Sequence, residues 1–574
     1  MLRPHNARTA APNPRGQQRL SLLVVAASAA CAFCGWPSAS GAAPTPSTNA
    51  STRRTHRVTP EDYFTIGALI DARVSPDGRA IVYAEMRWES GRETRNTDLW
   101  RVDLQTKRRQ RLTFGPEGDY APRWSVDGRQ IYFISARKNA AKKPPHNGKP
   151  QIWRIRADGS RLVPITREED GVASFQLGAS GRYLYYVVNK KTHTKGPFSA
   201  LRKRFGKLIY GHGVYRPSRL VRLDLQEWRT RDLLTSKRVI RELQVSDDET
   251  KAALLTTPDN RLISNEGWSR IEVLYFDNGK TVLPDTTLWR KKAPSPYGWL
   301  GEPRWSSDGS LLAFRIDFDG YPGRIYVLPM RGRTFLRPIQ LARKKEETIG
   351  DGLEWIPRRH TLCYQAIDRA VDRVYCARID GAKQRPTEIL TAGPGSVDGF
   401  TFAPDGSRVA LMLSGLTHPT DLFVAPTTPN QTSYQRVTTL NPQIDSWKLP
   451  SISRVSWKSK DGTTVEGILE LPPDHKAGTR LPLLVEIHGG PTSATRYRFR
   501  FWIYGRTLFS GNGWAVLSPN YRGSTGYGDK FLTDLIGKKN VRDVEDILSG
   551  VDHLVAKGLV DPKRMAIMGW SNGG

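Results

Sequence analysis

Met565-Ala-Ile-Met-Gly-Trp-Ser-Asn-Gly-Gly574 is the stretch whose reading decides the fold. Ala566, Ile567 and Met568 form a short apolar run, as a buried parallel strand requires. Gly569-Trp-Ser-Asn-Gly573 then fits G-x-S-x-G, a serine carried on a sharp turn between a strand and a helix. The spacing has a steric cause. A serine in a strained backbone conformation leaves room only for small residues two positions before and two after it. The turn raises the Ser571 hydroxyl above the sheet and aims the backbone N–H of Asn572 at the place where an oxyanion would develop.

The segments before this stretch supply the sheet that such a turn needs. Residues 453–457 and 464–471 read as an antiparallel hairpin around Lys460-Asp-Gly462. Leu481-Pro-Leu-Leu-Val-Glu-Ile-His488 is an apolar strand followed by Gly489-Gly490-Pro491, and residues 514–518 form another strand. Between residues 541 and 557, Val544, Ile547, Leu548, Val551, Leu554 and Val555 recur at helical spacing, and Gly558 ends the run. Strand, loop, strand, helix, strand and serine turn is the order of an α/β-hydrolase. We place this unit at residues 441–574.

Upstream, a different texture repeats. Val74-Ser-Pro-Asp-Gly78, Arg123-Trp-Ser-Val-Asp-Gly128, Arg304-Trp-Ser-Ser-Asp-Gly309 and Phe402-Ala-Pro-Asp-Gly406 each lead into an apolar strand. An Asp-Gly turn before a strand is a hairpin signal. Weaker copies at residues 179–181, 246–249 and 354–356 bring the count to seven. A strand-rich repeat of roughly fifty residues with no long helical stretch predicts a β-propeller of about seven blades over residues 58–440. Thr59-Pro60-Glu61-Asp62 predicts a helix start just before it, running to about Leu69.

The first 42 residues carry Arg3, Arg8, Arg15 and Arg19, then an apolar run from Leu20 to Phe33, then small residues. This is the layout of a secretory signal, with cleavage after Gly41 or Ala42, and residues 43–57 read as a linker. The expectation is export to the periplasm or beyond, with no stable membrane insertion after cleavage. Of the four cysteines, Cys31 and Cys34 leave with the signal. Cys363 and Cys376 lie on two strand-like runs that form a hairpin if the turn centres on Arg369-Ala370. An oxidising compartment permits a bond between them; two buried free thiols are the alternative.

The formal net charge is +31. A surplus of that size attracts nucleic acid, anionic lipid or acidic peptide. Its densest segments, residues 136–149 and 190–207, also hold Pro, Gly, Asn and His and read as solvated loops. No zinc-finger spacing, helix-turn-helix or RNA-binding aromatic motif accompanies the charge, so no nucleic-acid partner is expected. No metal cluster or nucleotide fingerprint stands out, so neither a metal nor another cofactor is expected.

His488-Gly-Gly-Pro491, Asn520-Tyr-Arg-Gly-Ser-Thr-Gly-Tyr-Gly528, Asp543-Val-Glu-Asp546 and Gly569-Trp-Ser-Asn-Gly-Gly574, in that order behind an Asp-Gly-repeat propeller, resemble the prolyl oligopeptidase family of serine peptidases. Secreted bacterial acylaminoacyl-peptidases and dipeptidyl-peptidases look most similar. The resemblance implies a peptidase whose propeller admits only short or unstructured peptides, with Ser571 as nucleophile. It implies an oxyanion hole made by the backbone N–H groups of Gly490 and Asn572. His488 is expected to shape the oxyanion loop, not to act as base, and Tyr521, Arg522 and Tyr527 to shape theirs. The family's dipeptide-removing members hold the substrate amine with paired acids. Glu168-Glu169 is such a pair, but its charged neighbours point to an exposed turn.

The acid and base of such a serine follow it in chain order, and three residues follow Ser571 here. The chain as given is therefore expected to be inactive and to leave the elbow strand as an open edge. An esterase on the same fold, or a propeller used as a binding scaffold, are the competing functions. The oligomeric state is left open.

Overall fold

A computed structural model describes residues 54–574 except 90, 92–93, 191, 194–196, 206–213, 216, 260–265, 382 and 502–504. The signal region, most of the linker and much of the second basic loop lie outside these residues.

Seven antiparallel meanders form the first unit. Their innermost strands are Ala68–Val74, Asp119–Trp124, Ser174–Leu177, Val239–Val245, Trp299–Trp305, Thr348–Trp355 and Ser396–Phe402. We number the blades 1 to 7 in that order. Each repeat turn leads into the second strand of its blade, and the chemistry of the turn explains why the motif recurs. In blade 2 the Ser125 hydroxyl donates to Asp127 at 2.6 Å. Asp127 also accepts the N–H of Arg129 at 3.1 Å, while the Gln130 N–H donates back to the Ser125 hydroxyl at 2.9 Å. Gly128 sits at φ +68°, which an L side chain disfavours. Ser75 with Asp77, and Ser306 with Asp308, repeat the arrangement.

The second strands are the blade cores. Every residue of Lys251–Thr257 is buried, and so are Ala80 to Ala84. The ring closes between blades 7 and 1, where Ala72, Val74 and Tyr83 pack with Ala410, Leu422 and Val424. Blade 1 is built wholly from the start of the propeller and blade 7 from its end. Gly67 and Asn441 exchange two hydrogen bonds, 2.7 and 2.8 Å, and tie the entering and leaving chains together.

The N-terminal boundary differs from the expectation. Thr55 and His56 both donate their N–H groups to Ser446 O. Val58 packs with Ile444, Trp447, Leu449, Phe499 and Phe501. Pro60–Thr65 is one short 3-10 turn capped by Thr59, and the chain is already in a strand at Leu69. The capping signal is local and present. The helix stops because Ala68–Val74 is claimed by the inner strand of blade 1. Residues 55–66 thus pack against the hydrolase unit and, through Tyr63 and Phe64, on Trp88 of blade 1, and the first propeller strand starts at Ala68.

The second unit is a five-stranded sheet ordered Ser451–Lys458, Thr464–Leu471, Ala515–Asn520, Leu481–Ile487, Val560–Gly569. The first three strands pair antiparallel, and Leu481–Ile487 pairs parallel with both its neighbours. The helix Arg542–Ala556 lies on this sheet, with Ile547 and Leu554 in its core and Trp457 Nε1 donating to Asp546 O at 2.8 Å. Two positions of the expected apolar face are not covered: Val544 and Leu548 are exposed. The helix meets a single sheet face, and these two side chains lie off that contact. The elbow strand is parallel and, as expected, an open edge, with Ile567 69% exposed. Among the described residues it has a partner on one side only.

Blades 5 to 7 dock on the hydrolase unit through their loop tips. Thr492 donates to Asp319 at 2.9 Å and accepts the N–H of Gly320 at 2.7 Å. Arg496 pairs with Asp372, Arg498 with Asp398, and Arg343 with Asp529. No helix among the described residues is long and apolar enough to cross a membrane.

Candidate active site

The elbow strand runs alongside Leu481–Ile487, with Ile487 opposite Gly569. Beyond Gly569 the chain turns over Trp570 into a one-turn 3-10 helix, Ser571–Gly573, and Trp570 N–H donates to Ile487 O at 3.3 Å. Ser571 sits at φ +56°. A non-glycine residue there is sparsely tolerated and costs of order 1–3 kcal/mol unless its surroundings enforce it. The flanking glycines enforce it. A Cβ on Gly569 would come within 1.9 Å of Gly573 O, and one on Gly573 within 2.3 Å of Ile487 O. The small-residue requirement at both flanks is thus a matter of backbone packed on backbone.

The turn after Leu481–Ile487 lies directly against this elbow. A Cβ on Gly489 would fall 2.9 Å from Trp570 O and 3.2 Å from Ser571 Cβ. Gly490 follows at φ +130°, a conformation open to glycine. The structure therefore brings Gly490, Ser571 and Asn572 to one place, as two adjoining turns at the same end of two parallel strands. The Ser571 hydroxyl is exposed and makes no hydrogen bond among the described residues.

His488 is committed elsewhere. Its ring stacks on Tyr521, centroids 4.5 Å apart and planes within 10°. Nδ1 lies 2.8 Å from Gly489 O and Nε2 lies 3.0 Å from the Ser524 hydroxyl. A carbonyl only accepts, so Nδ1 carries the proton and Nε2 accepts from Ser524. Burial pushes its pKa down to about 4, which keeps it neutral at physiological pH.

Tyr521 is the residue that sequence reasoning undervalued. Fully buried, it donates its hydroxyl to His488 O at 2.8 Å and accepts from Asn572 Nδ2 at 3.2 Å. One phenol thus holds the turn that begins at His488 and the residue after Ser571 in a fixed relation. Desolvation pushes its pKa up to about 12, so it stays a donor. Arg522, 1% exposed, anchors the same loop. It donates to Asp546 at 2.7 Å, to Asp534 at 3.1 Å and to Asp461, and its own N–H reaches Asp546 at 2.8 Å. Tyr527 accepts from Asn520 Nδ2 at 2.8 Å. The signal for all three was the glycine-rich run of residues 520–528, which marks a loop held tightly without naming what it holds.

Glu168 is taken up by Tyr186 at 2.8 Å and Arg219 at 2.7 Å, and Glu169 is exposed. Cys363 and Cys376 are opposite one another on adjacent strands, and their sulfurs are joined. The turn between those strands is Arg369-Ala370, both at positive φ. Among the described residues no group of three His, Cys, Asp or Glu side chains is arranged to hold a metal ion.

Residues 500–574 match the prolyl oligopeptidase family. Dipeptidyl-peptidase 5 of Porphyromonas gingivalis is 24% identical over 567 residues, covering 93% of this chain and 77% of that protein. The acylamino-acid-releasing enzyme of Arabidopsis thaliana is 42% identical over 95 residues, 16% of this chain and 12% of its own length. The acylaminoacyl peptidase of Pyrococcus horikoshii has the same fold, with a TM-score of 0.67 at 16% identity over 90% of this chain and 76% of that one. A seven-bladed propeller stands ahead of an α/β-hydrolase sheet, and the segment that matches the prolyl oligopeptidase family is the one that carries the G-x-S-x-G elbow.

Proposed function

We propose that this protein is an exported serine-type peptidase acting on short peptides, with Ser571 as its nucleophile. The observation that carries the proposal is the elbow. Ser571 stands at positive φ between two glycines that admit no Cβ, with the Gly489-Gly490 turn against it. In this reading Ser571 Oγ attacks the scissile carbonyl carbon. Its proton passes to a histidine that the fold places after the nucleophile in chain order. The alkoxide is stabilised by the N–H groups of Gly490 and Asn572, and loss of the amine leaves an acyl-enzyme that water cleaves. Tyr521 and Arg522 position these donors. The propeller, docked over the hydrolase unit by blades 5 to 7, limits substrates to those that pass between the two.

The test compares turnover of N-terminally blocked and free peptide anilides, and of a matched p-nitrophenyl ester, by the protein and by Ser571→Ala. Hydrolysis of anilides that disappears in the variant supports the reading. Turnover of the ester alone points to an esterase. Equal activity in both proteins removes Ser571 from the chemistry and favours a binding scaffold.

A further inference from the structure

A cleft of about 510 Å3 opens between blades 6 and 7. That is within the range of small-molecule sites, roughly 300–1,000 Å3. It lies at the end of the strands 361–380 remote from their Arg369-Ala370 tip. The tip is the part that docks on the hydrolase unit, through Tyr497 and Arg496. The cleft is thus separate from the elbow.

Its lining combines two chemistries. Ile356, Ile389, Leu390 and Pro386 give an apolar floor, beside the Cys376 sulfur. Arg359, Arg378 and Arg385 stand around it, with Glu388 as the one acid. Arg378 and Arg385 each bond Asp380 through Nε, at 2.8 and 2.7 Å. Their terminal amino groups, and the whole Arg359 guanidinium, make no side-chain hydrogen bond among the described residues.

We propose that this cleft binds a small organic carboxylate with an apolar body. The guanidinium groups match a carboxylate in charge and in planar geometry. The apolar body lies on Ile356, Ile389 and Leu390. Neither acid nor hydrocarbon alone uses both halves of the site.

Isothermal titration of the full chain with octanoate, octanamide and acetate tests this. Octanoate is expected to bind one equivalent with Kd below about 1 mM, and the other two at least tenfold more weakly. Arg359→Ala and Arg378→Ala are each expected to weaken octanoate at least tenfold with an unchanged melting temperature. Ser571→Ala is expected to bind as the parent does, which keeps the outcome independent of the peptidase reading. Equal affinity for octanoate and octanamide, indifference to both cleft substitutions, or loss of binding in Ser571→Ala would overturn the proposal.

Discussion

The propeller and the hydrolase sheet stabilise themselves by opposite means. In the propeller every second strand is covered by its neighbours, and the seventh blade returns to the first. Among the described residues the elbow strand of the hydrolase sheet is paired on one side only, and Met565, Ile567 and Trp570 face solvent, as do Val544 and Leu548 of the helix. The sheet's order rests on a few places where backbone meets backbone and on two buried arginines, Arg506 and Arg522. Substitutions should therefore act locally and steeply in the hydrolase sheet, and weakly, blade by blade, in the propeller.

The sharpest separation is expected at Ser571. Ser571→Ala should lower peptide hydrolysis by on the order of 10^4-fold or more, with circular dichroism melting unchanged because the side chain is exposed. Gly569→Ala comes next. Its Cβ has no room against Gly573 O, so the elbow must shift. A shift near 1 Å costs about 100-fold in rate, read as kcat with the propeller melting transition intact.

Arg522→Met should destabilise the hydrolase unit by about 3–5 kcal/mol, since it strands buried Asp546 without its cation. Calorimetry would then show that unit melting ahead of the propeller, and a single unshifted transition would contradict the division drawn here. The same cluster gives a pH dependence. Hydrogen bonds from Arg522 and Lys538, respectively, hold Asp461 and Asp534 below the ordinary carboxylate range. A depressed carboxylate adds stability above its unfolded pKa and loses it as pH falls through the folded one. The melting temperature should fall on acidification below about pH 4, and less steeply in Asp461→Asn.

In the propeller the effects are smaller. Reducing the Cys363–Cys376 bond, which closes a short loop, should cost about 2–4 kcal/mol, confined to the propeller transition in a melt with and without dithiothreitol. Asp127→Ala removes acceptors from one repeat turn and should cost about 1 kcal/mol, measured as a shift in the urea midpoint.

The same contrast governs what could be read from the sequence. Blade turns are local: an Asp-Gly pair within five residues marks four of them outright, and three weaker copies at the same kind of position complete the count of seven. The elbow is local too, its two glycines lying four residues apart. The Arg369-Ala370 turn was found through its cysteines, although neither residue favours positive φ. What escaped depends on distance along the chain. The attachment of residues 55–66 to Trp447 and Phe501 joins segments nearly four hundred residues apart. Tyr521 acts on His488 and Asn572, which no periodicity connects to it. The exposure of Val544 and Leu548 is set by which faces another layer covers. Hydrophobic spacing alone cannot supply that.

The closure of the ring has a mechanical consequence. Blades 7 and 1 meet through side chains, with no strand shared across the joint. Such a collar has a clasp: it can part at one place without breaking a backbone ladder, and close again in register. The Gly67–Asn441 pair sits beside that clasp, where the chain also crosses to the hydrolase unit. Tension between the two units would therefore load the clasp before any blade.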